Sequence, residues 1–446
     1  MDNKTPKDLR SRLSIPWYLK IVLYFLIFFY RLFNRFKYPL IHDPEIETTT
    51  VGVYNILRSM RPGIHAQKGS ALEAYFKNQH KKVREFLPDG FIPNKQVSMS
   101  FSGDLMKNDF IGASKDKFYM NVENYMFEND ISVANLESTL TSEHIEQTKY
   151  SHKTMPMINA TIEDYEALRG HENKKFTIFA LPNNHIMDRG MDGWETTTKK
   201  LEEDGILHFG TNKTAMAQNT GLFVEKNGIK FGFVGFTYSL NLHKMPDGMP
   251  YAVNYIRFHD PKVEPDLSLI ETQIRDLKSK GCDIIVLSLH WGIEYEFYPT
   301  PRQVRIAHHL AEVGADIILC HHTHCIQPYE FYQTERDLNR MVPIVYSLGN
   351  LSANKSNPHI VLSMISRTEF AKGTLNEKEK TYIKSFDLLP VFQHEIVDIE
   401  GTRFIQLEIL KDQINLKHED KQYGKYVRKI AEYADQVIGT DWRNNN

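Results

Sequence analysis

A chain of 446 residues with 41% hydrophobic and 12% aromatic content can bury a sizeable core, as one large domain with extensions or as two domains. The formal net charge of -2 excludes bulk nucleic-acid binding, which calls for a strongly basic surface. Three cysteines, Cys282, Cys320 and Cys325, are too few and odd in number for a disulfide framework.

The first predicted element is apolar. Ile15 to Phe33, IPWYLKIVLYFLIFFYRLF, is broken only by Lys20 and Arg31. A spanning helix needs about 20 mostly apolar residues, and Trp17 to Phe33 reaches the low end of that range. Trp17, Tyr18 and Tyr30 suit the two interfaces. No small-residue cleavage site follows, so the segment is not read as a removed signal peptide. Three readings stand open: a spanning anchor, an interfacial helix, and a core or protein-binding helix. Lys4, Lys7, Arg10, Arg12 and Lys20 precede the segment, and Arg31, Arg35 and Lys37 follow it. That excess favours an inside N-terminus and a body outside the cytoplasm. The expectation is a membrane-associated, single-pass protein, with residues 1–37 as a basic N-terminus and anchor.

Residues 38–95 are mixed and polar, with helical stretches such as GSALEAYFKNQHKKVREFL, and read as a stalk or packed extension. The pattern changes at Val97. VSMSFSGD, ISVANLE, FTIFALPNNH, CDIIVLSLHWG and ADIILCHHTH are β-rich runs, each ending in a polar cluster. Helices are predicted over Gly193 to Asp204, Leu267 to Lys280 and Arg302 to Val313, each stopped by a glycine. Alternating strands and helices argue for an α/β fold. Asn227-Gly228 between β runs predicts a hairpin, so the sheets are mixed. Residues 96–370 form the expected catalytic domain. Residues 371–446 form a small C-terminal extension with two β runs and an amphipathic helix near Lys421 to Ile438.

Ligands in α/β folds gather beyond the carboxyl ends of strands. Those ends carry Asp104, then Asn135 with Glu137, then Asn183, Asn184 and His185, then His290, and finally His321, His322 and His324. Each alone is weak evidence, because a Gly-Asp after a strand is usually a turn and a strand-end histidine usually a bonded structural residue. Five consecutive runs ending in such donors is a pattern that turn chemistry does not supply. A structural zinc site wants paired cysteines, and Cys320 and Cys325 have no second pair. In an extended loop His322 and His324 would point to one side as ligands, with His321 on the other as a substrate or supporting contact. Mixed imidazole, amide and carboxylate donors suit Mn, Fe or Zn better than Mg or Ca. One or two divalent transition metals are therefore the expected cofactor. A bridged pair about 3.5–4 Å apart is a common device for hydrolysing phosphate esters or amides. Asp188 has two readings: a cap for the helix beginning near Gly190, or a partner holding His185. His308 and His309 read as packing or solvated residues, and His243, His259 and His359 carry no spacing signal. Lys153, Arg189 and Arg302 read by default as solvated surface charges, with an anionic polymer as the alternative ligand.

The ordered set SFSGDLM, ANLESTLT, LPNNHIMDRG, SLHWGIEYEFYPTPRQ, GADIILCHHTHCIQPYE and VYSLGN resembles the CapA family of poly-gamma-glutamate capsule synthesis proteins. The likeness runs from about Val97 to Asn350. It implies a branch of the calcineurin-like metallophosphoesterases with a four-layer α/β/β/α sandwich. By resemblance Asp104, Glu137, Asn184, His290, His322 and His324 would line a two-metal centre, with His185 near the leaving group. Trp291, Arg302 and Asn350 match positions flanking the cleft, and Asn135, Lys153 and His321 complete the expected substrate contacts. His185 and Asp188 are the expected catalytic residues. The implied role is synthesis, release or attachment of poly-gamma-glutamate or a related anionic capsule polymer, by metal-assisted hydrolysis or transfer. The expected partners are that polymer, the membrane and polymer ligase subunits, with no nucleic acid. A non-enzymatic accessory subunit and a generic metallophosphodiesterase are the alternatives. The chain departs from the family pattern at Thr323, where Pro is usual, and at Cys320, where Gly is usual. Against the wider superfamily, Met106 replaces the histidine of the first Asp-x-His, and Glu137 replaces a bridging Asp.

Overall fold

The computed structural model describes residues 58–79, 86–141, 157–241, 243–260 and 262–444, together with Val22 and Phe25. The Ile15–Phe33 segment otherwise lies outside the described residues, as does Lys153. The single-pass expectation is corrected here: among the described residues no helix is long and apolar enough to cross a membrane.

The described residues form a mixed α/β domain around two sheets. Strands β1 (Ile92–Leu105), β2 (Ile131–Asn135), β3 (Ile178–Ala180) and β4 (Leu207–Phe209) run parallel in one half of the first sheet. The second sheet takes β5 (Leu222–Lys226), β6 (Ile229–Thr237), β7 (Ile284–His290), β8 (Ile317–His321), β9 (Tyr329–Gln333) and β10 (Met341–Val345). The first sheet is completed by β11 (Asn350–Ser352), β12 (Leu362–Leu375), β13 (Lys378–Val397) and β14 (Arg403–Ile409). The two β runs after residue 370 are therefore not a separate lobe. They pair antiparallel on the open side of β12 and extend its sheet.

The chain builds these elements for local reasons. Asn227 and Gly228 both have positive φ, 50° and 74°, as a tight hairpin between β5 and β6 requires. Strand β7 is apolar on both faces and fully buried, as a central parallel strand must be. Thr300 and Gln303 form a capping box, with Pro301 at the first position of the helix Pro301–Val313. Helices Gly190–Glu203, Ser268–Ser279 and Lys421–Ile438 fall within a few residues of the predicted ones.

One apolar core lies between the sheets. Val97, Met99 and Phe101 of β1 belong to it together with Phe231 and Phe233 of β6, and Phe231 meets Phe370 of β12 edge-on at 5.2 Å. Ile274 and Leu277 of helix Ser268–Ser279 and Ile306 and Leu310 of helix Pro301–Val313 join the same core. A second core, with Tyr119, Leu168, Trp194 and Leu201, contains the helix Gly190–Glu203. Register then places the site. Across the first sheet Asp104 pairs with both Asn135 and Asn350. Across the second, Thr237, His290 and His321 stand side by side. The carboxyl ends of both sheets thus meet at one place.

Candidate metal centre

Asp104 anchors the centre. Gly103 precedes it because β1 passes the Gly349 carbonyl so closely that a Cβ there would lie 2.1 Å from the oxygen. The approach lets the Asp104 amide donate to Gly349 O at 2.9 Å. The Asp104 carboxylate accepts from Asn135 Nδ2 at 2.8 Å and from the His322 backbone N–H at 3.1 Å. His321 Nδ1 lies 2.8 Å from Asp104 Oδ1, at ion-pairing distance but out of hydrogen-bonding alignment. Burial works against the charge, yet His321 and Asn135 hold the carboxyl well below the usual carboxylate range.

Glu137 sits at the middle. It is fully buried, and neither carboxylate oxygen has a hydrogen-bond partner. Burial first, and the Asp104 carboxylate second, push it well above the ordinary carboxylate range. Its donors belong to two groups at once. Glu137, His290 and His322 offer one ligand atom each within 4.8 Å of one another, and so do Asp104, Glu137 and His324. Two triads sharing a buried carboxylate that makes no hydrogen bond suit a divalent cation or a bridged pair. The donor set therefore fits a metal.

The flanking groups orient these donors. His290 Nε2 lies 2.7 Å from Asn184 Oδ1 and 3.4 Å from Glu137 Oε1. Burial depresses the His290 pKa well below that of a free imidazole, so the ring is neutral and able to ligate. His324 Nδ1 lies 3.0 Å from Asn350 Oδ1, which leaves Nε2 for a ligand. The loop carrying the histidines is not extended. His322 and His324 take φ of 94° and 56°, a left-handed conformation costing roughly 1–3 kcal/mol per residue. That bend sends the two rings into different triads, where an extended loop would have placed them together. Their ring centroids are 5.8 Å apart.

His185 stands beside the triads. Its Nδ1 is 2.7 Å from Asp188 Oδ2, and its Nε2 is 3.9 Å from Glu137 Oε1. Of the two readings of Asp188, the helix cap fails: Arg189 occupies the cap position, and Asp188 instead holds His185 and accepts from the Ile158 N–H at 2.6 Å. Trp291 is fully buried, edge-on to Phe258. The Arg302 guanidinium bonds Asp260 O and Val263 O and pairs with Glu264.

Residues 98–355 match the family described as "Bacterial capsule synthesis protein PGA_cap". That match covers well over half of the chain. The chain belongs to this family. It is 25% identical to the capsule biosynthesis protein CapA of Bacillus anthracis over 58% of this chain and 60% of that protein. It is 28% identical to the PGA biosynthesis protein CapA of Bacillus subtilis over 57% of this chain and 62% of that one. A Mycobacterium tuberculosis relative, "probable polyglutamine synthesis accessory protein", is 26% identical over 50% of this chain and 55% of its own length. The matches thus span about 60% of the length of the Bacillus relatives.

Every donor of both triads lies inside the PGA_cap match. So do several contacts that the sequence reading missed. Tyr238 follows β6 and lies against His322 with ring centroids 4.4 Å apart. Asn241, in the same loop, touches both Asn184 and His185. His259 accepts from the Gly292 N–H at 2.9 Å and steadies the loop after His290. Tyr295 packs on His324 at 5.6 Å. The signal for Tyr238 and Asn241 was available: GFTYSLN is a sixth β run ending in polar residues.

Proposed function

We propose that this chain acts on an anionic cell-envelope polymer of the poly-gamma-glutamate type, by metal-assisted hydrolysis or transfer at an amide or phosphate linkage. The layering of helices and two sheets is read as the α/β/β/α sandwich of the metallophosphoesterases. The observation that carries the proposal is Glu137, buried with neither oxygen hydrogen-bonded and shared by two triads of donors. The capsule assignment rests on the names of the two Bacillus relatives.

In this reading Asp104, Glu137, His324, His290 and His322 hold the metal, with Asn184 beside them. When bound, a divalent transition metal supplies Lewis acidity toward the scissile carbonyl or phosphoryl group. The protein's own residues do the rest. Asp188 fixes His185 through Nδ1, so Nε2 is the nitrogen that hands a proton to the departing atom. Asn135 and His321 keep Asp104 ionised and in place. Asn350 sets the rotation of the His324 ring.

The test compares two variants. His322→Ala removes a donor and should lose metal. His185→Asn keeps polarity and near size but cannot deliver a proton, so it should keep metal and lose turnover by about 10²–10⁴-fold. Both are assayed against poly-gamma-glutamate and against an activated phosphodiester, which separates amide from phosphate chemistry. A His185→Asn variant with full activity and full metal content contradicts the role given to His185. A second reading, a non-catalytic accessory subunit beside a polymer ligase, is favoured by the name of the mycobacterial relative. It predicts polymer binding with no cleavage of either substrate.

A further inference from the structure

The loop after β6 crosses from the second sheet to the first at the site. It leaves the sheet beside His290, since Thr237 and His290 are register partners and the Tyr238 N–H donates to His290 O at 3.0 Å. It is held in a tight bend by the Asn241 N–H donating to Ser239 Oγ at 3.0 Å, and Asn241 itself takes φ of 50°. The bend delivers the buried Asn241 side chain between two residues of the LPNNH loop. Asn241 Oδ1 accepts from Asn184 Nδ2 at 3.0 Å. Asn241 Nδ2 lies 3.3 Å from His185 Nδ1 and 3.5 Å from His185 Nε2. Asp188 holds the Nδ1 side of that ring at 2.7 Å, and the Asn241 amide nitrogen, nearly equidistant from the two ring nitrogens, packs against the imidazole without taking Nε2.

We infer that Asn241 is a positioning residue that ties the metal-side Asn184 to the proton-donating His185 through one carboxamide, and so sets both from the opposite sheet. The inference rests on the metal reading proposed above. A carboxamide is suited to this task because its planar group can accept from Asn184 at the oxygen while its nitrogen end lies against the His185 ring. With its Nδ2 bonded to Asn241, Asn184 must turn its Oδ1 the other way, and that oxygen is the atom 2.7 Å from His290 Nε2. Without Asn241 the Asn184 amide is free to flip and present nitrogen to the metal side, which no cation accepts. Supporting contacts of this kind typically contribute 10–100-fold to metal affinity.

The experiment titrates the metal-free full chain with Mn²⁺ alone, by calorimetry. Asn241→Gly deletes the hydrogen bond to Asn184 and the contact with His185 and suits the positive φ, so it removes the side chain without straining the bend. Asn241→Asp keeps the oxygen that accepts from Asn184. The glycine variant should bind Mn²⁺ about 10–100-fold more weakly than the wild-type chain. The aspartate variant should bind at least as tightly as wild type, a rescue that general loosening of the loop would not give. Wild-type affinity in the glycine variant overturns the inference while leaving the metal reading intact, and so does equal weakening in both variants. A wild-type chain that binds no Mn²⁺, Zn²⁺ or Fe²⁺ overturns the metal reading, and the inference with it.

Discussion

The strand-end donors were legible because carboxyl ends of parallel strands converge, and that convergence needs only a sequence pattern. What was not legible is how single side chains turn once they arrive. His322 and His324 separate into different triads because of backbone angles that no spacing rule contains. His259 and His359 carry no motif, yet both are buried or bonded in ways that matter. His359 packs between Phe297 and Tyr433, and burial pushes its pKa down from 6.5 to about 4, against a hydrogen bond to the Ser59 backbone. Its folded value is depressed, so between those two values the unfolded chain binds a proton that the folded chain refuses. Stability contributed by neutral His359 is therefore full above about pH 6.5 and is lost as pH falls toward about 4. The whole effect is roughly 3 kcal/mol. Urea denaturation at pH 7 and at pH 4.5 checks this: His359→Gln should lose distinctly less stability between the two than the wild-type chain. Equal losses would show that His359 does not titrate in this window.

At the scale of elements, helices with capping and glycine stops were readable to within a few residues, and so was the Asn227-Gly228 hairpin. The partners of strands far apart in sequence were not, which is why β13 and β14 read as an extension and prove to be part of the first sheet. The segment before Val97 shows the same limit. Arg58 pairs with the buried Glu296 at 2.8 Å. Gly63 exchanges backbone hydrogen bonds of 2.8 Å with Tyr295 and Phe297. In helix Leu72–Gln79, the Tyr75 hydroxyl donates to the buried Glu330 carboxylate, which also accepts from Tyr346 at 2.6 Å. The Arg58 and Gly63 contacts brace the loop whose Tyr295 packs on His324. Breaking a buried ion pair from one side costs about 3–5 kcal/mol, because the remaining charge stays buried without its partner. Arg58→Ala should therefore lower the urea midpoint substantially. A change within about 0.5 kcal/mol, as expected of an ordinary surface substitution, would mean that the segment does not brace the body.

At the scale of the whole molecule, two sheets bring their carboxyl ends together around one buried carboxylate. Asp104 and Asn135 come from the first sheet, His290 and His321 from the second, and Glu137 lies where the two meet. Metal binding should then couple the sheets and raise stability with the concentration of free cation. Glu137 is the one donor common to both triads, so the account's central claim stands on it. The direct measurement is the metal content of the purified chain beside Glu137→Gln, His322→Ala and His324→Ala, each checked for folding by its circular dichroism spectrum. The account predicts that the wild-type chain carries a transition metal, that each histidine variant keeps part of it, and that Glu137→Gln loses the most. A folded Glu137→Gln chain with the wild-type metal content would contradict it.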